Sequence, residues 1–377
     1  MYGLDRAGIF VEVETDIYFI KSKIESIFPN SISENTSRKT KTYNISQKNI
    51  NTIKVEESYR GATLRKTIIR IDFSYPRAKN QDNIFPVTTE LEKKETEENL
   101  LQILNQLIEE PIQLERIKYD FLEFCIQEKV GAFYKYHNII SFFYRALTRK
   151  YEDINKVQYY NFNTKEERHY TTGFIFQPYA GWKLRLYSKG HEHNRNHETK
   201  VRGAIFRLEH RLSKTVIKSL VNTIYVQEVT IEKLKEKISE KISRQLYEII
   251  VEEICHSHDV LVKVLQNFKS RELSGIIRDN QEWILDEKIV DDIISNTSLK
   301  SYPQIKRYRT RVRAILLESQ ARASPKRDFF GNIERLENFL NNLLFIPCKV
   351  ECNNQKHLTF FFTKKYHNYE PFLTIPK

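Results

Sequence analysis

Between Trp182 and Glu192 the chain reads Trp-Lys-Leu-Arg-Leu-Tyr-Ser-Lys-Gly-His-Glu, a stretch holding the residue types that phosphoryl chemistry needs. Taken as a β-strand it alternates strictly, with Trp182, Leu184 and Leu186 on one side and Lys183, Arg185, Tyr187 and Lys189 on the other. A tyrosine hydroxyl then stands on a basic face, with Glu192 and the histidines His191 and His193 just past the strand end. That layout suits a tyrosine that attacks a phosphate. An amphipathic strand with an ordinary surface tyrosine is the plainer reading, and in a chain with 21 tyrosines the pattern alone does not separate the two.

Such a face must be built by neighbouring strands, and the sequence offers several of one design. Thr67 to Phe73 places Ile69, Ile71 and Phe73 opposite Arg70 and Asp72, and Pro76 ends it. Ile112 to Phe121 alternates Ile117, Tyr119 and Phe121 with Arg116, Lys118 and Asp120. Ala204 to Leu212 turns Phe206, Leu208 and Leu212 inward and Arg207, Glu209 and Arg211 outward. Thr171 to Phe176, a turn at Pro178 to Gly181, and the Trp182 strand form a hairpin signal. Val11 to Val13 reads as a first strand, followed by a helix ending near Ile27, with 30–48 as a loop or hairpin and 190–203 as a loop. Helices are expected from Thr88 or Thr89 to Glu110 and over 131–150. The expected fold is α+β: an antiparallel sheet with one face covered by helices and one open, then a mainly helical part. We place the division at 1–220 and 221–377.

A chain of 377 residues with 40% hydrophobic content can bury sizeable cores, and two or three compact units are the default. Its 61 Lys and Arg against 49 Asp and Glu leave a charge of +12, which favours a polyanionic partner, nucleic acid above all. No run approaches the ~18 apolar residues of a spanning helix, the N-terminus is unlike a signal peptide, and four scattered cysteines make no disulfide scaffold. These features predict a cytoplasmic protein with no membrane partner.

Three ordered blocks resemble the gene II/gene X replication initiators of filamentous phages and, more distantly, the rolling-circle initiators of small plasmids. Tyr75 to Leu91 is similar to the family's segment that enters a helix, although Asp82-Asn83 stands where the family has Gly-His-Asn. Leu184 to Glu192 resembles the nucleophile strand, whose tyrosine is followed by lysine at +2 and glutamate at +5, here Tyr187, Lys189 and Glu192. Phe206 to Lys214 resembles the family's Arg-x-Glu-x-Arg strand. The resemblance implies a metal-binding aspartate on an Arg-Ile-Asp strand, of which there is no clean copy before Tyr187. Asp120 is preferred to Asp72 because Arg70-Ile71-Asp72 comes early in the order.

The resemblance implies a ferredoxin-like, Rep-nuclease-like core for the sheet, and a reaction that nicks one DNA strand by transesterification, with Tyr187 as nucleophile. A free phenol titrates near ~10, so Lys189, Arg185 and a divalent cation would favour the phenolate. Mg²⁺ or Mn²⁺ takes oxygen ligands, for which Glu209 and Asp120 or Glu192 are the candidates. The partners implied are double-stranded origin DNA and the nicked single strand, with host polymerase and helicase acting on the 3′-OH product. A conjugative relaxase uses the same chemistry. From a different class, the alternative is a non-catalytic origin-binding initiator or repressor.

Further along, Ile289 to Ile294 and a helix from Pro303 resemble a helix-turn-helix. Lys306, Arg309 and Arg313 form one face there, Arg307 and Arg311 lie adjacent, and Arg207 and Arg211 would add phosphate contacts on the sheet. Cys255-His256-Ser257-His258-Asp259 and the set Cys348, Cys352 and His357 lack metal-site spacing.

Overall fold

A computed structural model shows an α+β chain. It describes all residues except 38–39, 46–48, 61–62, 80–82, 152–156, 161–172, 197–199, 202–203, 267, 270, 297–300, 323–327, 346–347, 354–356, 363–372 and 375–377. The first half runs β1 (Tyr2–Val13), α1 (Ile17–Ile27), β2 (Ile32–Ser37), β3 (Thr40–Asn44), β4 (Ile50–Arg60), β5 (Thr63–Ser74), α2 (Tyr75–Lys79), α3 (Glu90–Leu107), β6 (Lys118–Val130) and α4 (His137–Lys150). Next come β7 (Val157–Tyr160), β8 (Gly173–Tyr179), β9 (Trp182–Ser188), α5 (Lys189–Asn196) and β10 (Ala204–Ser213). Helices α6 (Lys214–Val221), α7 (Ile231–Ile238), α8 (Arg244–Leu265), α9 (Leu273–Asp279), α10 (Glu287–Asn296), α11 (Tyr302–Arg322) and α12 (Asn332–Leu343) follow, then the strands β11 (Cys348–Asn353), β12 (His357–Phe362) and β13 (Leu373–Thr374).

The strands hydrogen-bond in the order β2-β3-β4-β5-β1-β6-β10-β9-β8-β7, and β11 to β13 form a separate small sheet. Contacts divide the chain into two compact units that interleave along the sequence rather than meeting at residue 220. One comprises Met1–Gln127, Gln177–Arg185 and Arg207–Ile238; the other comprises Glu128–Phe176, Leu186–Phe206 and Ser239–Lys377. Among the described residues no helix is long and apolar enough to cross a membrane.

In the first unit, β1 lies between β5 and β6, antiparallel to both. The expected strand at Val11 to Val13 is therefore only the end of a twelve-residue strand. Its start lacks a clean alternation because it carries glycines where neighbours press close. A Cβ on Gly8 would lie 2.4 Å from the Phe121 ring, and one on Gly3 would lie 2.0 Å from the Val87 carbonyl. Helix α3 begins where the sequence places it: the Thr89 hydroxyl accepts from the Glu92 amide. Beneath it, Glu97 accepts from the Tyr75 and Tyr119 hydroxyls at 2.7 and 2.9 Å and pairs with buried Lys93. Every member of that buried network has a partner, as burial demands. The expected strand over 112–121 instead begins at Lys118, after a single 3₁₀ turn, and runs on to Val130.

The β8–β9 hairpin forms as expected, with Gly181 in the left-handed region at φ 78°. The Ser213 amide donates to the Gly181 carbonyl, which ties the end of β10 to the start of β9. In the second unit, Phe143 of α4 stacks on Phe174 and meets Phe339 of α12 edge-on. Buried Glu253 of α8 is held by Arg145 and Arg149, and the Arg145 guanidinium lies 4.4 Å from the rings of both Phe142 and Trp283.

Candidate metal centre and nucleic-acid surface

In the first unit, one face of β5, β1 and β6 carries ion pairs. Arg6 donates to Asp72 at 2.7 Å, Lys66 pairs with Glu12, and Arg70 reaches Glu56 and Asp120 at 3.2 and 2.9 Å. This is the open polar face the sequence predicts. At one place it becomes a buried site: Asp5 of β1, Glu123 of β6 and Glu209 of β10 are all buried, with one potential ligand atom from each lying within 4.8 Å of the others.

Two irregularities bring these carboxylates together. On β1, Leu4 pairs with Phe124 and Arg6 with Glu123, so Asp5 is the extra residue of a β-bulge. On β6, Gly8 pairs with Phe121 and Ile9 with Tyr119, so Asp120 is a second extra residue. Continuing the alternation from Lys118 and Asp120 would put Leu122 and Phe124 on the polar face. The bulge shifts it by one, and Phe121, Glu123 and Gln127 take those places. Val87 meanwhile bridges to Leu4 where β5 has ended, and the carbonyls of Asn83 and Ile84 accept from Arg207. That segment is part of what closes the face over the site.

Each carboxylate has its own arginine. Arg207 donates to Asp5 Oδ2 at 2.8 Å and to Gln127 Oε1 at 3.0 Å. Arg211 bridges Glu123 at 2.5 Å with its guanidinium 3.9 Å above the Phe121 ring, and Arg185 lies 3.4 Å from Glu209. Asp5 Oδ1 is buried and, among the described residues, accepts no hydrogen bond. A buried carboxylate oxygen with unused acceptor capacity, beside two more carboxylates, is what a hard divalent cation requires of its ligands.

Burial pushes the Glu123 carboxyl up to about 7; the charges of Glu209 and Asp5 act in the same direction, while Arg211 and Arg6 pull it back. The folded protein thus holds a proton that the unfolded chain releases near 4.5. This contribution favours folding below that pH and is lost as pH rises through about 7. We expect Glu123→Gln to flatten that part of the stability profile, as read from thermal unfolding of metal-free protein between about pH 5 and 8. On the opposite face of β10, His210 accepts from Trp182 Nε1 at 3.2 Å, and burial alone holds it neutral by lowering its pKa to about 3.

Of the metal ligands expected from sequence, only Glu209 belongs to this group. Asp120 is engaged by Arg70, Asp72 by Arg6 and Asn51, and Glu192 lies in the second unit, where it pairs with Lys189 at 2.7 Å. Asp5 and Glu123 were missed. The available signal was a lone acid inside each apolar run, Leu4 to Val11 and Phe121 to Ile126, since an unpaired buried charge is rarely tolerated.

Three expectations need correction. Tyr187 is 1% exposed, not standing on an open face. In its own unit the backbone packs tightly beside it: a Cβ on Gly173 would lie 2.8 Å from the Tyr187 Cα. Lys189 is not the next outward residue of the strand. The strand ends at Ser188, Lys189 opens α5 and is buried, and the expected loop 190–203 is helical to Asn196. Arg207 is wholly buried and is no DNA contact. Arg211 and Arg185 keep 40% and 30% of their side chains exposed.

In the second unit, α10 and α11 form at the expected places, and the turn between them falls within 297–300, outside the described residues. Lys306, Arg307, Arg309 and Arg313 are exposed on α11. Arg309 bonds Ser295, Arg313 lies 3.9 Å from Glu287, and Arg311 is half-buried, bonding Ser274. Lys306, Arg309 and Arg313 recur at helical spacing and can follow a phosphate backbone. For the DNA binding expected from sequence, replacing all three with Ala should weaken affinity and lower the slope of log affinity against log salt by about 2 to 3, measurable by a salt titration in fluorescence anisotropy. Cys348, Cys352 and His357 have no described side-chain placement.

The fold and site together define an α+β chain with a buried three-carboxylate centre flanked by arginines. No family model matches the sequence, and no curated protein matches it. Among solved structures, the chain is similar to the di-domain ARO/CYC BexL from the BE-7585A biosynthetic pathway, at 10% identity and a TM-score of 0.19, over 66% of this chain and 98% of that one. The di-domain ARO/CYC StfQ from the steffimycin biosynthetic pathway matches at 8% identity and a TM-score of 0.20, over 64% and 96%. Neither likeness bears on the site.

Proposed function

We propose that this chain is a metal-dependent DNA-nicking enzyme of the rolling-circle initiator kind, acting at a plasmid or phage origin. The observation that carries this reading is the buried group of Asp5, Glu123 and Glu209, set beside arginines on the polar face of a sheet. Bound there, Mg²⁺ or Mn²⁺ would polarise a phosphodiester and offset the charge that develops in its transition state. Asp5, Glu123 and Glu209 would supply the oxygen ligands, and Arg207 holds Asp5 through a hydrogen bond to its Oδ2. Arg185 and Arg211 present partly exposed guanidiniums suited to phosphate oxygens.

The tyrosine nucleophile rests on the sequence pattern rather than on this geometry. In the proposed step the Tyr187 hydroxyl loses its proton to solvent and its oxygen bonds to phosphorus. The bond from phosphorus to the 3′ oxygen breaks, and that oxygen takes up a proton to become the 3′-OH primer. The protein is left on the 5′-phosphate, with the bond energy kept for rejoining. Because Tyr187 is buried, this reading also requires DNA binding to uncover it.

The test is incubation with supercoiled origin DNA and Mg²⁺ or Mn²⁺, scoring relaxation and a covalent protein–DNA adduct. Tyr187→Phe is expected to lose both while still binding DNA. Wild-type protein that binds but forms no adduct with either metal, on duplex or single-stranded sites, overturns the proposal. The exposed basic row of α11 favours the second reading, a non-catalytic origin-binding initiator or repressor. In that case the α11 substitutions abolish the activity and Tyr187→Phe changes nothing.

A further inference from the structure

With its three carboxylates ionised the site is neutral, because each faces a guanidinium in contact with it. A dication added to that set leaves it doubly positive in a largely buried place, which is unfavourable unless an anion arrives as well. The three arginines differ in what they can do about this. Arg207 is wholly buried and anchored by Asp5, Gln127 and the Ile84 carbonyl, so it stays. Arg185 and Arg211 are partly exposed, and each engages a carboxylate that a cation would claim.

We propose that the site binds a divalent cation and a phosphodiester as a coupled pair through an exchange of partners. The cation takes Glu209 and Glu123 from Arg185 and Arg211, and the two released guanidiniums turn to the phosphate oxygens. The unused Oδ1 of Asp5 supplies a ligand that no arginine has to surrender. The cation is therefore held weakly alone and tightly with nucleic acid, and by linkage the nucleic acid gains equally from the cation. This inference rests on the proposed cation site, and its distinctive consequence is that the arginines oppose metal binding until phosphate is present.

The experiment is calorimetric titration of the full-length protein with Mn²⁺ at fixed ionic strength. It is run alone, with a short single-stranded oligodeoxynucleotide, and with the uncharged methylphosphonate version of that oligonucleotide. Asp5→Asn protein serves as the blank for Mn²⁺ held by DNA itself. The phosphodiester strand is expected to tighten Mn²⁺ binding at least about fivefold, and the methylphosphonate strand to leave it unchanged. Arg185→Gln and Arg211→Gln should each bind Mn²⁺ alone more tightly than wild type and lose most of the coupling. Arg211→Lys, which keeps the charge without the fork, should resemble wild type in Mn²⁺ binding alone. Equal Mn²⁺ affinity with and without the strand, or arginine variants that weaken Mn²⁺ binding, overturns the coupled exchange while leaving the cation site intact. Absence of site-specific Mn²⁺ binding in every condition removes the cation site and the proposed function together.

Discussion

Asp5→Asn is expected to lower the proposed metal-dependent DNA nicking by about three orders of magnitude or more while leaving the fold in place. A metal acting as Lewis acid contributes several kcal/mol to the transition state, and each ~1.4 kcal/mol is a factor of ten in rate. The substitution removes one negative charge and one oxygen ligand. An asparagine side-chain oxygen still accepts from Arg207, so the buried guanidinium keeps a partner in the place where Asp5 Oδ2 now meets it at 2.8 Å. The circular dichroism spectrum should therefore be kept, although the unfolding midpoint falls because the buried Arg207 charge loses its carboxylate partner, and single-turnover nicking and Mn²⁺ affinity should fall together. Glu209→Gln should behave likewise. A decisive contrast is Asp120→Asn, which touches the aspartate favoured from sequence. It breaks only a half-exposed pair with Arg70, and exposed ion pairs contribute about 1 kcal/mol or less. Full nicking by Asp120→Asn with none by Asp5→Asn would assign the ligand set as the geometry has it; the reverse outcome would remove Asp5 from it.

Arg207→Leu is expected to cost about 3 to 5 kcal/mol of stability, the largest structural effect among these substitutions. Its wholly buried guanidinium donates to Asp5, to Gln127 and to the carbonyls of Asn83 and Ile84. Removing it strands a buried carboxylate and leaves the segment over the site without its donor. The double variant Asp5→Leu with Arg207→Leu should lose less than Arg207→Leu alone, because no uncompensated charge is then left buried. Urea unfolding of the four proteins forms the cycle, and a double variant less stable than the single one would show that Arg207 contributes by packing rather than by charge. Arg207→Lys keeps the charge but not the planar fork, so it should fold and yet hold Asp5 poorly. Its nicking should be rescued in part by raised Mn²⁺, which a purely structural defect would not allow.

Much of this architecture is legible locally. Alternation located β5, β9 and β10, the Thr89 cap and its apolar stripe located α3, and Pro-Tyr-Ala-Gly marked the hairpin at Gly181. The same alternation placed Arg207, Glu209 and Arg211 together on the polar face of β10, and the basic spacing of α11 is visible without any coordinates. These features depend on residues within one or two turns of each other, which is the range over which period and capping act.

The membership of the site lies beyond that range. Whether Asp120 or Glu123 joins Glu209 turns on a one-residue bulge in β6, and a single extra residue exchanges the two faces of everything after it. Asp5 enters by a bulge of its own, in a stretch whose glycines, fitted to Phe121 and Val87, conceal the strand. Burial was equally invisible: Arg207 is sealed partly by carbonyls more than 120 positions earlier in the chain, and Tyr187 sits against the backbone of Gly173. The sequence by itself determined which residues could carry phosphoryl chemistry and the strands on which most of them lie. Only the tertiary structure decided which carboxylates meet and which arginine is structural, because bulge register and coverage are set by contacts between segments far apart in the chain.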